Sequence, residues 1–261
     1  MVVLVLALAI VISGFFIFLM VTEFRPPKWS SLPVEGMGIP PEKGQQEFTL
    51  LTWNIGYAGL GAGADYFYDG GKMVRAGKSE TGQNLLWIGA SILANDSVDF
   101  ILLQEIDRHS KRSWYVDEFE DIASRIPGLA RVYASNYDCR YIPVPITEPI
   151  GHVKAGLATF SRAIPAAANV QYFDAYFSWP TRLVFLKRCM LTIRQPLENG
   201  KELVIINTHN SAYDSTGELH NRELFILDSV MQKEYSKGNY VIAGGDWNSN
   251  PRGFDLSKIL T

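Results

Sequence analysis

Four short apolar runs in this 261-residue chain each stop on a polar residue, and that repetition constrains the fold more than any other feature. The clearest is Val241-Ile242-Ala243-Gly244-Gly245-Asp246-Trp247-Asn248-Ser249-Asn250-Pro251. A continuous apolar run bounded by glycine predicts a buried interior strand. Paired glycines let backbone pass close to a neighbour, or turn where a side chain would clash. Asp246 and Asn248 can then face one ligand, although both residue types also serve as plain turn formers. Runs over 47–53, 98–103 and 201–207 end in the same manner, on Asn54, on Gln104-Glu105 and on Thr208-His209-Asn210. Further strands are expected at 157–161 and 183–193. Helical patterns occupy 83–94, 117–125 and 218–233, the last with Leu219, Leu224, Ile226, Leu227 and Val230 on one face. Strands alternating with helices predict a layered α/β fold. The glycine-rich stretch 57–77, which holds Tyr66, Phe67 and Tyr68, either covers a site or forms a surface insertion.

The chain begins differently. Residues 1–22 carry no charge and are almost wholly apolar. At the rise of an α-helix they span roughly 30 Å, about one bilayer core. A transmembrane helix or uncleaved signal anchor is expected, because a cleavable signal peptide wants a basic start and a small-residue cleavage site. Residues 23–46 hold five prolines and little periodicity, which predicts an extended, semi-stiff linker between membrane and domain. A single domain is expected over 47–261, without repeats. Arg25 and Lys28 favour a cytoplasmic domain by the positive-inside rule. A single N-terminal anchor more often serves export, and the extracytoplasmic side is expected.

With 47% hydrophobic and 20% charged residues the chain suits a globular domain with a sizeable core. The net charge of −3 does not favour long nucleic acid as a partner. Cys139 and Cys189 lack zinc spacing and are expected to be buried free thiols. A monomer is expected.

Asn54, Glu105, His209, Asp246 and Asn248 form a coherent set if their strand ends meet at one crevice. Strand ends are where layered α/β folds hold ligands. Each residue alone has a dull explanation: a turn cap, an exposed carboxylate, a structural histidine. Together, Glu105 and the amide oxygen of Asn54 make a hard oxygen site suited to Mg²⁺, Mn²⁺ or Ca²⁺. Asp246 can orient and deprotonate water, while His209 and Asn248 can donate to negative oxygens. That combination suits in-line attack on a phosphate ester.

The motifs Thr52-Trp53-Asn54-Ile55-Gly56, Leu103-Gln104-Glu105, Asn207-Thr208-His209 and Gly244-Gly245-Asp246-Trp247-Asn248 occur in that order. They resemble the successive motifs of the endonuclease/exonuclease/phosphatase superfamily, the family of deoxyribonuclease I. Residues 156–162 also resemble its middle strand. The resemblance implies a four-layer α/β sandwich with two central mixed β-sheets and helices outside. It implies Glu105 as metal ligand with Asn54 beside it, His209 on the phosphoryl oxygen, Asp246 positioning the water and Asn248 supporting the transition state. The family closes on an Asp-His pair after a further strand, and no such pair follows Asn248 up to Thr261; His220 comes too early, on a predicted helix. The domain is therefore expected to be C-terminally incomplete.

The expected activity is a metal-dependent phosphoesterase, more specifically a phosphodiesterase. The alternative is a catalytically inactive, membrane-tethered module that holds a phosphorylated ligand. The fold family tolerates DNA, RNA, lipid head groups, inositol phosphates and nucleotides. Trp179, Arg182 and the Tyr66–Tyr68 cluster are candidate substrate contacts or core residues.

Overall fold

The computed structural model describes residues 1–95, 97–212, 214–250 and 253–254. Pro251 of the glycine-Asp stretch and positions 255–261 of the predicted domain lie outside the described residues. In chain order the elements are α1 (Val2–Val21), β1 (Trp29–Ser31), β2 (Glu35–Gly36), β3 (Leu50–Asn54), α2 (Lys78–Leu93), β4 (Phe100–Asp107), α3 (Glu118–Arg125), β5 (Ala130–Ile142), β6 (Gly151–Ser161), β7 (Ala167–Tyr172), β8 (Cys189–Pro196), β9 (Glu202–His209), α4 (Glu218–Ser236) and β10 (Tyr240–Asp246).

Two mixed five-stranded sheets stack face to face, ordered β1-β7-β8-β9-β10 and β2-β5-β6-β4-β3. Phe100, Leu102, Val132, Ala134 and Leu157 of one sheet meet Val170, Leu191, Ile193, Leu203 and Ile205 of the other. Side chains alternate across a strand, so the opposite faces of both sheets need their own cover. Leu85, Ile88 and Ile92 of α2, with Phe119, Ile122 and Ala123 of α3, cover Ile101, Leu103 and Phe160. Leu227 of α4 covers Met190, Val204 and Ile206 on the far side. The expected four-layer arrangement is thus present.

Local chemistry sets the helix starts. Asp117 accepts a hydrogen bond from the Glu120 amide at 3.2 Å, capping α3, a contact worth about 1 kcal/mol. Asp214 accepts from the Leu219 and His220 amides at 2.7 and 3.1 Å, holding the first turn of α4. Cys139 and Cys189 are free and buried.

Several elements depart from the sequence reading. Residues 23–46 are extended but not loose. β1 pairs with β7 and β2 with β5, so the segment adds an edge strand to each sheet. Proline is tolerated at such edges because an edge strand leaves amides unpaired anyway. β5 and β7 escape the sequence pattern, because Arg131, Ser135, Asn136 and Asp138 interrupt the one and Ala, Asn and Gln dominate the other. The run expected as a strand from 183 enters one only at Cys189. Its apolar beginning turns instead, and Val184 packs beside Ile142, Ile150 and Val153. Short apolar runs are buried with or without a strand. β10, expected in the interior, is the outermost strand of its sheet among the described residues and only half-buried.

Candidate active site

β3 runs parallel to β4, and β10 parallel to β9. Parallel strands deliver their C-terminal ends to the same edge, which is why polar residues far apart in sequence converge. The registers pair Asn54 with Gln104 and Asp246 with His209. The amide nitrogen of Asn54 donates to Glu105 Oε1 at 3.2 Å and to Asp246 Oδ2 at 2.7 Å. His209 Nε2 stands 3.7 Å from each of those two carboxylates. Asn248 continues from the same corner: its backbone amide donates to Asp246 Oδ1 at 2.9 Å, and its side chain donates to the Asn210 carbonyl at 2.8 Å. Asn54, Asp246 and Asn248 line one surface hollow, while Glu105 and His209 line an adjoining cavity. All five predicted site residues are therefore brought together.

Glu105 reaches this position through a bulge. The β4–β6 register shifts between Leu103 and Ile106, and Glu105 itself has φ +55°. A bulge re-aims a side chain that regular alternation would send elsewhere. The two glycines before Asp246 serve close approach: a Cβ on Gly245 would lie 1.9 Å from the Thr208 carbonyl oxygen, and one on Gly244 would lie 2.8 Å from Leu102 Cδ1.

Asn54 differs in detail from the expectation. Its oxygen accepts from the Gly56 amide at 3.0 Å, so its nitrogen, not its oxygen, faces the carboxylates. Turning that oxygen toward a cation requires exchanging the amide and giving up the Gly56 bond. The donor set nonetheless suits a hard cation. Magnesium-type ions retain waters and need only one or two protein carboxylates, and Glu105 and Asp246 supply two that share one amide. A closed cage of protein ligands is a different matter: among the described residues no three His, Cys, Asp or Glu side chains gather at ligating spacing.

The electrostatics beside this corner are asymmetric. Burial, helped by the nearby Arg188 and Arg112 guanidiniums, holds His209 well below the usual imidazole range. The ring is therefore neutral at pH 7, one nitrogen donating and the other accepting. Arg112 donates to Asp107 Oδ1 at 2.8 Å and Oδ2 at 3.0 Å, and its guanidinium lies 3.8 Å from the Tyr57 ring centre. Arg188 is 6% exposed. Its Nη1 donates to the His209 carbonyl at 3.3 Å, and its Nε has no partner. Its charge is supported, without a contact ion pair among the described residues, by the Glu223, Glu105 and Asp246 carboxylates nearby. Both arginines line the cavity with Tyr57, Tyr66, Tyr68 and Asn136, around a space of about 120 Å³. A buried cation without a contact ion pair adds positive potential to the polar hollow beside it.

Several residues support the site in roles that the sequence does not assign to them. Gln104 and Asn207 are fully buried; Gln104 Nε2 donates to Asn207 Oδ1 at 2.8 Å, and Asn207 donates to the Leu103 and Ala158 carbonyls at 3.1 and 2.9 Å. They pin β9 to β4 and β6 directly behind the site. Glu223 accepts from the Ser211 amide at 2.8 Å and the Ser211 hydroxyl at 2.7 Å, bracing the turn after His209. Its trace in the sequence is an acid in the middle of an apolar helical stripe, four residues from Leu219 and four from Leu227. Arg188 has no local signature, since a basic residue before an apolar strand is ordinary. Of the aromatic cluster, Tyr66 and Tyr68 do line the cavity. Trp179 and Arg182 do not: Trp179 stacks 5.5 Å from Phe16, and Arg182 lies 3.7 Å from Glu23.

No protein-family model matches the sequence, and no curated protein matches it. Solved structures with a similar chain course include three low-identity cases. The human Nocturnin catalytic domain with bound sulfate anion has a TM-score of 0.49 and 17% identity, over 84% of this chain and 69% of that one. ANGEL2, a 2',3'-cyclic phosphatase, in complex with adenosine-2',3'-vanadate has 0.49 and 16%, over 91% and 60%. An endonuclease/exonuclease/phosphatase protein from Beutenbergia cavernae DSM 12333 has 0.47 and 20%, over 69% and 43%. The chain thus spans less than two thirds of the length of the last two.

Proposed function

We propose that this chain is a metal-dependent phosphoesterase of the endonuclease/exonuclease/phosphatase type, acting on a phosphodiester and tethered to a membrane through α1. The observation that carries this reading is the Asn54 amide shared between Glu105 and Asp246, with His209 equidistant from both carboxylates. In this reading Glu105, with Asp246 and an exchanged Asn54 amide beside it, holds a magnesium-type ion. Such an ion, when bound, neutralises phosphate charge and stabilises a leaving oxygen.

The remaining roles belong to the chain itself. Asp246 accepts a proton from water and directs the water toward phosphorus. Its orientation is held by the Asn248 backbone amide on Oδ1. Neutral His209 donates from Nε2 to a phosphoryl oxygen, where a charged imidazolium would instead pair with the carboxylates. Asn248, pinned by the Asn210 carbonyl, offers its second amide hydrogen to charge that grows in the transition state. Arg188 contributes fixed positive potential from below.

The test is hydrolysis of bis-p-nitrophenyl phosphate by the full-length chain with Mg²⁺ or Mn²⁺. Glu105→Ala and Asp246→Ala are each expected to remove nearly all turnover. Both variants at full rate would place the chemistry elsewhere. Absence of turnover in the unaltered chain, with retained binding of a phosphorylated ligand, would favour the inactive binding module.

A further inference from the structure

The end of α1 is not free of the domain. Phe15 packs edge-on against Tyr141 at 6.3 Å between ring centres, and Phe16 lies 5.5 Å from Trp179. Leu19, on the same face, is buried. The residues that follow lock this contact. The Glu23 carboxylate, 5% exposed, takes Arg25 at 2.9 Å, Lys187 at 3.3 Å and Arg182 at 3.7 Å. Phe24 packs 6.1 Å from Tyr172. A helix held by three of its positions and by a buried carboxylate cannot swing without losing those contacts, so its direction fixes that of the domain.

The depth of the contact follows from helix geometry. Phe15 lies six residues before Val21, which is about 9 Å along the axis. No charged residue occurs before Glu23. The outward face of the same turns, with Ile17, Phe18, Met20 and Val21, is exposed and apolar. If these turns lie in a bilayer, the rings of Tyr141 and Trp179 lie beside them, level with Phe15 and Phe16. The two segments that carry those rings expose further apolar side chains, flanked by the exposed Arg140, Glu148 and Arg182. Val144 and Ile146 follow Tyr141 in the β5–β6 connection, and Tyr176 precedes Trp179; all five are exposed, Ile146 to 90%. Tyrosine and tryptophan concentrate where hydrocarbon meets head groups, and a contiguous exposed apolar patch marks an interaction surface.

We infer that Tyr141, Val144, Ile146, Tyr176 and Trp179 form a membrane-docking rim that enters the head-group boundary of the bilayer in which α1 is inserted. The rim borders the active-site cavity. Ile142 at the end of β5, Ile150 of the connection after it, and Phe185 and Leu186 beyond Trp179 line that cavity. Docking therefore holds the site against the lipid surface instead of letting it swing on a tether. Arg25 and Lys28 are paired with Glu23 and Asp174, so apolar insertion drives the contact, with the exposed Arg140 beside Tyr141 placed to meet lipid head groups. The inference rests on α1 being a membrane anchor, and its test separates the two.

The full chain is reconstituted in phosphatidylcholine vesicles as Leu8→Cys, Ile146→Cys, Trp179→Cys and Tyr235→Cys, each carrying an environment-sensitive dye. The native thiols are buried, and Tyr235 lies at the opposite sheet edge, near the start of β10. Quenching by lipids spin-labelled near the head group is expected to be several-fold stronger at 146 and 179 than at 235, with the Leu8 dye quenched by deeply labelled lipids. A quenched Leu8 dye with 146 and 179 no more lipid-accessible than 235 overturns the docking rim while the anchor stands. A Leu8 dye open to aqueous iodide overturns both. Dyes at 146 and 179 shielded from lipid and from iodide mean that protein covers the rim, which also overturns the inference. Because Ile146 is almost fully exposed, its substitution leaves the fold unaltered.

Discussion

Replacing Gly245 by alanine tests whether the candidate site depends on backbone packing as closely as its geometry indicates. Gly245 has φ +143°, and its β10 position faces Thr208 of β9 in the parallel register. A Cβ there would sit 1.9 Å from the Thr208 oxygen and within 2.9 Å of the Thr208 carbonyl carbon and nitrogen. All three atoms are backbone, so no rotamer change relieves the overlap. The backbone conformation alone costs roughly 1–3 kcal/mol for a residue with a side chain. Relief of the overlap requires opening the β9–β10 ladder locally, which forfeits two hydrogen bonds at about 1 kcal/mol each. The sum, about 4 kcal/mol, is a large part of the stability of an ordinary domain.

Two other glycines provide the scale. Gly200→Ala carries a positive φ of +77° but meets open space, so about 1–2 kcal/mol is expected. Gly244→Ala meets only the end of the Leu102 side chain, which can turn aside. Urea unfolding of the full chain in detergent, followed by far-ultraviolet circular dichroism, ranks the three from their midpoints at equal slope. The expected order of loss is Gly245→Ala, then Gly244→Ala and Gly200→Ala close together. A Gly245→Ala variant within about 0.5 kcal/mol of Gly200→Ala would refute the claim that backbone proximity fixes this corner.

Other outcomes follow from the charges around the cavity and at the far sheet edge. Arg188→Met removes one charge-assisted contact to an anion, about 2 kcal/mol, or about thirty-fold in kcat/KM on bis-p-nitrophenyl phosphate. Unchanged kinetics would remove Arg188 from the site. Arg112→Leu strands the fully buried Asp107 carboxylate and is expected to cost about 3–5 kcal/mol, part of which the double variant with Asp107→Leu recovers. Additive losses in that cycle, measured by urea unfolding, would show the pair to be uncoupled. Arg194, with Lys237 and Asn239, pulls the Glu234 carboxyl from its ordinary 4.5 down to about 2. Its contribution, no more than about 3 kcal/mol, is complete above pH 4.5 and fades as pH falls toward 2. Glu234→Gln should flatten the stability curve in that window only, and an unchanged acid limb would exclude the linkage.

Much of the site was legible because its chemistry sits at strand ends. Asn54, Glu105, His209 and Asp246 each follow an apolar run, and a polar residue that halts such a run is visible without coordinates. The layered α/β class, the helix faces of α2, α3 and α4, the uncharged helix α1 and the buried thiols follow from periodicity and composition, which act locally. What the sequence hid depends on partners distant along the chain. β5 and β7 look unlike strands because their polar residues are satisfied by neighbours that a linear reading does not supply. The prolines of 23–46 suit a tether or an edge strand equally, and only the unpaired edges of β5 and β7 decide for the strand. The bulge that turns Glu105 inward, the Asn54 oxygen committed to the Gly56 amide, the unpaired guanidinium of Arg188 and the packing of Phe15 and Phe16 against Tyr141 and Trp179 are all tertiary outcomes. Hydrophobic pattern determines which face of each element is buried; which polar groups then meet, and at what distance, is determined only when the two sheets close on each other.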